Sequence, residues 1–492
     1  MPAKKALIIG AGIAGIAAAI RLAVKGYQVE VFEANSYAGG KLSEFKQDGF
    51  RFDAGPSLFT MPQYVDELFT LAGKKPSDFF SYQKLNELCR YFYEDGTTLT
   101  AYASTDQFIA EVSKQTGEAE GSVEKYLENS RNIYNITNHV FLESSLHRLK
   151  TYLNWDTVSS VLRFGQIDAF RTMNTANETF FTDDRMVQFY NRYATYNGSN
   201  PYTAPATLNV IPHLEQHYGA YFPEGGMYSI VSSLAKLAES LNVKFHYDSP
   251  VEEIVLEKQR AKAIKVKGDI LQGDIVVSAM DVWFTYHKLL KRHPRLFPKK
   301  ALSQERSSSA LIFYWGIKKQ FPGLNLHNIF FSTDYKAEFD HIWQHRDIFH
   351  DPTIYLNISS KYKPDDAPEG CENWFTMINV PANTTQDWDS LIAGARANIL
   401  KKLTRILGED ITDLILCESI LDPRSIESRT SSYQGSIYGN SSNSRFAAFL
   451  RHANRSSKIE GLYFCGGSVH PGGGIPLCLL SAKIVSDYLP AL

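Results

Sequence analysis

The stretch "ALIIGAGIAGIAAAIRLAVKGYQVEVFE", Ala6 to Glu33, decides how this chain folds. "ALIIG" has the length and apolar continuity of a buried strand, and "IAGIAAAIRLAVK" has the alanine-rich pattern of a packed helix. Gly26 stands where a helix ends in a left-handed residue, and "YQVEVFE" resumes the alternation of a strand. Strand, helix and strand make one βαβ unit and hence a parallel pair. Gly10 permits the tight turn between the first strand and the helix. Gly12 lets the backbone approach a pyrophosphate, and Gly15, with Ala14 beside it and Ala18 further along, lets helix and strand pack closely. A diphosphate would rest on the helix N-terminus. Glu33 closes the second strand, where a carboxylate accepts hydrogen bonds from both ribose hydroxyls. A 2′-phosphate would be repelled there, so NADP is disfavoured and NAD and FAD remain.

The whole chain sets wider bounds. Its 492 residues, 44% of them hydrophobic, can bury large cores in two or three domains. Lys and Arg number 51 against 53 Asp and Glu, so no global charge points to nucleic acid. The 5 cysteines are scattered without metal-ligand spacing, which predicts no metal site and a reducing cytoplasm. Lys4 and Lys5 precede an apolar run as in a signal peptide, but the spaced glycines, Arg21 and the strand resuming at Tyr27 argue against cleavage. No run of about 18 apolar residues predicts a spanning helix.

Downstream of Glu33, "SYAGGKLSEF" brings Gly39 and Gly40 with Lys41 as a cation, and "GFRFDAGPSLF" adds a second close-approach loop at Asp53-Ala54-Gly55-Pro56. A nicotinamide fold needs neither. "RYFYEDGTTLTAY" predicts an antiparallel hairpin around Asp95-Gly96. From Thr105 to Gly219 the pattern is helical and aromatic. Short strands return between Val243 and Asp281, and "SALIFYWGI", "TIYLNISS" and "NWFTMINVP" suit a mixed sheet. "NSSNSR", Asn440 to Arg445, is expected to be a mobile loop. "GLYFCGG" predicts a buried strand leading into "SVHPGGGIP". There Gly466, Gly467 and Gly472 to Gly474 would let backbone lie against a flat ring system, with Ile475 and Pro476 opening the last helix. Interleaving of these types predicts an α/β fold in which one domain is assembled from separated segments with another inserted.

At these glycine clusters the sequence resembles the flavin-dependent amine oxidase superfamily, specifically the phytoene-type carotenoid desaturases, over its whole length. "RYATYNGSNPYTAPATLNVIPHLEQHYGAYFPEGG" is most similar to members acting on hydroxylated acyclic carotenoid ends, the hydroxycarotenoid 3,4-desaturases. The resemblance implies a Rossmann-type FAD-binding domain from 1–75, 219–286 and 455–492. It also implies a mixed-sheet substrate domain from 76–104 and 287–454, and a helical subdomain, 105–218, carrying a substrate tunnel and membrane contact. FAD would lie on Gly10, Gly12, Ala14, Gly15, Glu33, Gly39, Gly40, Lys41, Gly55, Pro56, Val251, Gly466, Gly467, Gly474 and Ile475, with Val251 at the adenine and Asp281 capping the next helix. Lys41 stands where family members usually carry Arg, which keeps the charge and loses bidentate contact. Cys465 and Cys478 resemble the cysteine that holds flavin covalently in amine oxidases, yet both better suit buried small side chains.

The implied reaction is desaturation: a hydride leaves an allylic carbon for the flavin and a proton leaves the adjacent carbon. An extended polyene delocalises the cation, so positioning and water exclusion matter more than a strong base. His470 is the candidate catalytic residue, orienting the flavin or accepting the proton, against the reading of a hydrogen-bonded structural histidine. Phe141, Trp155, Phe164, Phe170, Phe180, Phe181, Phe189, Tyr190, Tyr193 and Tyr196 are candidates to line the tunnel. "HKLLKRHPRLFPKK", His287 to Lys300, holds six Lys or Arg and no acid, suiting either a peripheral contact with the inner membrane surface or a solvated connector. Oxygen or a quinone would take the electrons. A polyene isomerase or saturase, an amine oxidase, and a flavin-free prenyl-lipid carrier are the alternatives; an intact glycine set with Glu33 argues against the carrier.

Overall fold

The computed structural model of the chain describes residues 4–138, 142–145, 147, 163–444 and 447–492. Five short strands, β1 (Lys5–Ile9), β2 (Gln28–Phe32), β3 (Lys244–His246), β4 (Ile275–Ser278) and β5 (Leu462–Phe464), form a parallel sheet in the order β3-β2-β1-β4-β5. The central strands β1 and β4 and their neighbour β5 are almost wholly apolar and buried because both faces of the sheet are covered. On one face Ala6, Ile8, Val31 and Val277 pack under α1 (Ile13–Val24), the helix Tyr228–Ser240 and α2 (Ile475–Asp487). On the other, Leu7, Ile9, Val276 and Phe464 pack on the antiparallel strands Val251–Glu257 and Arg260–Val266. The two ends of the chain are stitched together: the Leu492 N–H donates to the Lys25 carbonyl at 2.9 Å, and Lys25 Nζ donates to the Leu489 carbonyl at 2.8 Å.

A seven-stranded mixed sheet follows the order Ile415–Leu421, Ser309–Ile317, Glu372–Val380, Ile354–Asn357, His327–Phe330, Glu87–Phe92 and Thr98–Tyr102. The last two form the hairpin the Asp95-Gly96 turn predicts. Odd-numbered residues of Ser309–Ile317, such as Leu311, Phe313 and Trp315, bury one face against the helix Trp388–Leu407 through Ile399 and Leu403. Ala310, Ile312 and Tyr314 alternate with them and point the other way, into a cavity.

Two expectations are corrected. Phe181, Phe189, Tyr190 and Tyr193 do not line a tunnel; they stack on one another and on Tyr126, Phe108 and Tyr91 in a separate core. Their helical spacing does make an apolar face, and that face meets protein. Phe180 packs edge-on against Tyr126, Phe170 is 70% exposed, and of the described aromatics proposed for the tunnel only Tyr196 lines the cavity. Phe141, Trp155 and the Phe164 side chain lie outside the described residues. The segment expected to be mobile is instead buried at Asn440 to Ser442. Its polar side chains bond inward: Arg306 Nη1 donates to Asn440 Oδ1 at 2.8 Å and Ser441 Oγ donates to Glu305 at 2.7 Å, while Arg445 lies outside the described residues.

Candidate active site

The C-terminal ends of β1, β4 and β5 set Gly10, Ala279 and Gly466 side by side, the place where open α/β sheets bind ligands. From there a continuous cavity of about 1050 Å³ runs to the seven-stranded sheet. Gly12 and Gly474, the N-cap residues of α1 and α2, both line it. An added Cβ at either would meet nothing within 4 Å, so both helix N-termini open onto the same space. Gly15 does not line it: a Cβ there would collide with the Gly10 carbonyl oxygen and come within 3.2 Å of Ala279 Cβ, so its role is packing. Gly10, Ala14, Glu33, Gly39, Gly40, Lys41, Gly55, Pro56, Val251, Gly466, Gly467, His470 and Ile475 complete the set brought to this cavity.

Each charged member is held by named partners. Glu33 Oε2 accepts from the Ala11 N–H at 2.7 Å and Oε1 from the Asn35 N–H at 2.9 Å and Asn35 Nδ2 at 2.8 Å, which fixes the carboxylate at the cavity edge and leaves Oε2 a lone pair to spare. Lys41 Nζ donates to the Ser436 and Ile437 carbonyls at 3.1 and 3.0 Å, and burial draws its pKa down to about 8. Asp53 accepts from the Met227 and Tyr228 N–H groups at 3.0 Å each and from Arg51 Nη2 at 2.7 Å, anchoring the loop that ends in Gly55 and Pro56. Asp281 accepts from the Trp283 N–H at 2.9 Å, capping the next helix, and pairs with Arg306. His470 Nε2 faces the Ser144 carbonyl at 2.9 Å. A carbonyl only accepts, so the ring proton sits on Nε2 and Nδ1 is left as the acceptor; burial pulls the pKa to about 4 and keeps the ring neutral.

Sequence reasoning missed two features. Arg451, 3% exposed, lines the cavity beside Gly472 with Nη1 unpartnered, and no carboxylate pairs with it among the described residues. Nothing in "FLRHANR" marks it. The second is the wall. Ladder register aligns Ile312, Met377, Tyr355 and Ile329 in one transverse row and Tyr314, Phe375, Asn357 and His327 in the next. Directly opposed residues share a face, so these rows make a mostly apolar surface across four strands. Cys465 is buried away from the cavity, whereas Cys478 lines it with a thiol that burial raises to about 11.

The family described as flavin containing amine oxidoreductase matches residues 13–489. The chain belongs to that family. It is 49% identical over 487 residues to the 1-hydroxycarotenoid 3,4-desaturase of Flavobacterium sp. (strain P99-3), covering 99% of each chain. It is 36% identical over 496 residues to the 4,4'-diapolycopene oxygenase of Methylomonas sp, covering 99% of this chain and 98% of that one. The fold matches an oxidoreductase from Methanosarcina mazei with a TM-score of 0.64 at 16% identity, over 98% of this chain and 100% of that one. This is therefore a flavin oxidoreductase, and its residues fit the cofactor. Two helix N-termini with open Cβ directions suit a diphosphate and a ring edge, and the unpartnered Arg451 donor suits negative charge.

Proposed function

We propose that the protein is an FAD-dependent carotenoid desaturase that introduces a double bond into an acyclic, 1-hydroxylated carotenoid end. The observation that carries this reading is the single cavity shared by Gly12, Gly474 and the apolar sheet wall. The relatives at 49% and 36% identity, named for carotenoid substrates, support the substrate class.

Gly10, Gly12 and the α1 N-terminus would hold the diphosphate, Glu33 the ribose, and Val251 would pack beside the adenine. Gly466, Gly467, Gly474 and the α2 N-terminus would lie along the ring. Once bound, FAD supplies a two-electron acceptor for the hydride. The wall rows would hold the polyene straight and keep water from the reacting C–H bond, which is most of what a delocalised carbon cation requires. His470 stays neutral and presents Nδ1 as an acceptor, and the Arg451 cation would favour negative charge on a bound flavin. Residues 1–75, 219–286 and 455–492 would act as the FAD-binding domain, 76–104 and 287–454 as the substrate domain, and 105–218 as the helical subdomain.

The basic stretch supports peripheral attachment to the inner membrane, the source of a lipid-soluble substrate. Lys288, Lys291, Arg292, Arg295, Lys299 and Lys300 are all exposed, and Lys288 also lines the cavity. No helix among the described residues is long and apolar enough to cross a membrane. Oxygen or a quinone would reoxidise the flavin. The test is expression in bacteria that make defined acyclic carotenoids, with and without a 1-hydroxyl, followed by pigment analysis. Lengthened conjugation in the hydroxylated pigment is expected; unchanged pigments with flavin-loaded protein would redirect attention to amines or to isomerisation.

A further inference from the structure

Two polar side chains in the apolar wall, Tyr314 at Oη and His327 at Nε2, lack a hydrogen-bond partner, and only the histidine is held by a relay of its own. His327, 3% exposed, sits at the end of the row that begins with Tyr314. Its Nδ1 lies 2.7 Å from Tyr355 Oη and 3.2 Å from Asn357 Nδ2. An amide nitrogen only donates, and Asn357 Nδ2 is fixed as such by the Leu326 carbonyl at 3.1 Å. Nδ1 therefore accepts, and the ring proton sits on Nε2. Burial, reinforced by the nearby Arg192 guanidinium, lowers the pKa to about 3, so the ring is neutral. Nε2 is buried with no hydrogen-bond partner, although the ring lines the cavity. Such a group in a folded protein calls for an explanation, and a ligand supplies one.

The donor is also locked in place. Tyr355 gives its hydroxyl proton to Nδ1 and so accepts from Ser57 Oγ at 2.8 Å. Ser57 directly follows Pro56 in the loop beside the cofactor glycines, so this relay ties the histidine to the reacting end of the cavity.

We propose that His327 selects the substrate end: its Nε2–H donates to the hydroxyl oxygen of an acyclic carotenoid terminus, while Ser57 and Tyr355 hold the ring in the donating tautomer. This rests on the carotenoid desaturase reading. A hydrocarbon end leaves the donor dry, and a site built to bond a hydroxyl discriminates against the analogue without it, here by about 10- to 100-fold.

The test compares kcat/KM of flavin-loaded enzyme for a 1-hydroxylated acyclic carotenoid and its hydrocarbon parent in the same micelles. Wild type should prefer the hydroxylated pigment by that factor, His327→Leu should lose the preference, and His327→Gln, which keeps an N–H donor, should retain part of it. An unchanged preference in His327→Leu with wild-type flavin content, or equal use of both pigments by wild type, overturns the inference while leaving the desaturase reading intact. Desaturation of neither pigment by wild type overturns both. If His327→Leu does not retain flavin, His327→Phe decides: it keeps a flat ring without the Nε2–H and should lose the preference, and an unchanged preference refutes the assignment.

Discussion

Two glycines of one motif should fail in opposite ways when replaced by alanine. Gly12 has φ −67° and ψ 170°, extended backbone open to any residue, and its added Cβ meets nothing within 4 Å. Removing glycine's freedom from the unfolded chain stabilises by about 0.4–1 kcal/mol, and alanine's weakness as an N-cap offsets roughly that much. Apo-protein carrying Gly12→Ala should therefore melt close to wild type. The methyl group would instead stand where a diphosphate approaches, and losing one charge-assisted N–H bond of about 1.5–3 kcal/mol weakens FAD binding by roughly 10- to 150-fold. Gly15→Ala drives its Cβ into the Gly10 carbonyl and against Ala279, backbone and core that cannot yield. Overpacking of about 1–3 kcal/mol or more, against at most about 1 kcal/mol gained in helix propensity, lowers the melting temperature of the apo-protein itself. Differential scanning of apo-protein and titration of FAD by fluorescence quenching separate the two effects. FAD bound by Gly12→Ala within twofold of wild type, or an equal loss of apo stability in both variants, would refute the assignment of Gly12 to the cofactor and Gly15 to packing.

Acid stability follows from buried histidines. Burial holds His213, His452 and His470 at about 4 and His327 at about 3, so each binds its proton more weakly folded than unfolded. Their stabilisation is complete above the ordinary value of about 6.5 and is lost as pH falls toward 4, at about 1.4 kcal/mol per pH unit for each; urea unfolding from pH 7 to 4 should register that proton uptake, and a flat profile contradicts it. Met377→Trp, at the centre of the wall, should cut carotenoid turnover by roughly 100-fold while flavin content, read from the visible spectrum, is retained. Arg451→Gln should lower the flavin midpoint potential by roughly 30 mV or more, the equivalent of about 1.4 kcal/mol for a two-electron couple, in a reductive titration; an unchanged potential removes Arg451 from the cofactor's surroundings.

The cofactor half of the fold is legible in sequence because close backbone approach leaves few residue choices. Gly10, Gly12 and Gly15 announce a strand-turn-helix, and Gly472 to Gly474 before Pro476 announce a second helix N-terminus; their meeting follows once β1, β4 and β5 are neighbours. The substrate half is not. "SALIFYWGI" is buried on both faces, so no alternation shows that Ile312 and Tyr314 meet a cavity while Phe313 and Trp315 meet a helix. His327, Asn357, Phe375 and Tyr314 share a row only through ladder register, which joins positions far apart in the chain. Asn440 to Ser442 has loop composition, yet its short polar side chains serve buried partners that composition does not reveal, Asn440 bonding Arg306 and Ser442 bonding Arg451.

The central claim is that both chain ends hold one flavin whose reactive face looks onto the polyene wall. Anaerobic mixing of FAD-loaded enzyme with a 1-hydroxylated acyclic carotenoid tests it most directly. The visible flavin band should bleach in step with a longer-conjugated product, one double bond formed per flavin reduced. A flavin that stays oxidised while the pigment changes, or that is reduced by amines and not by carotenoid, would contradict it.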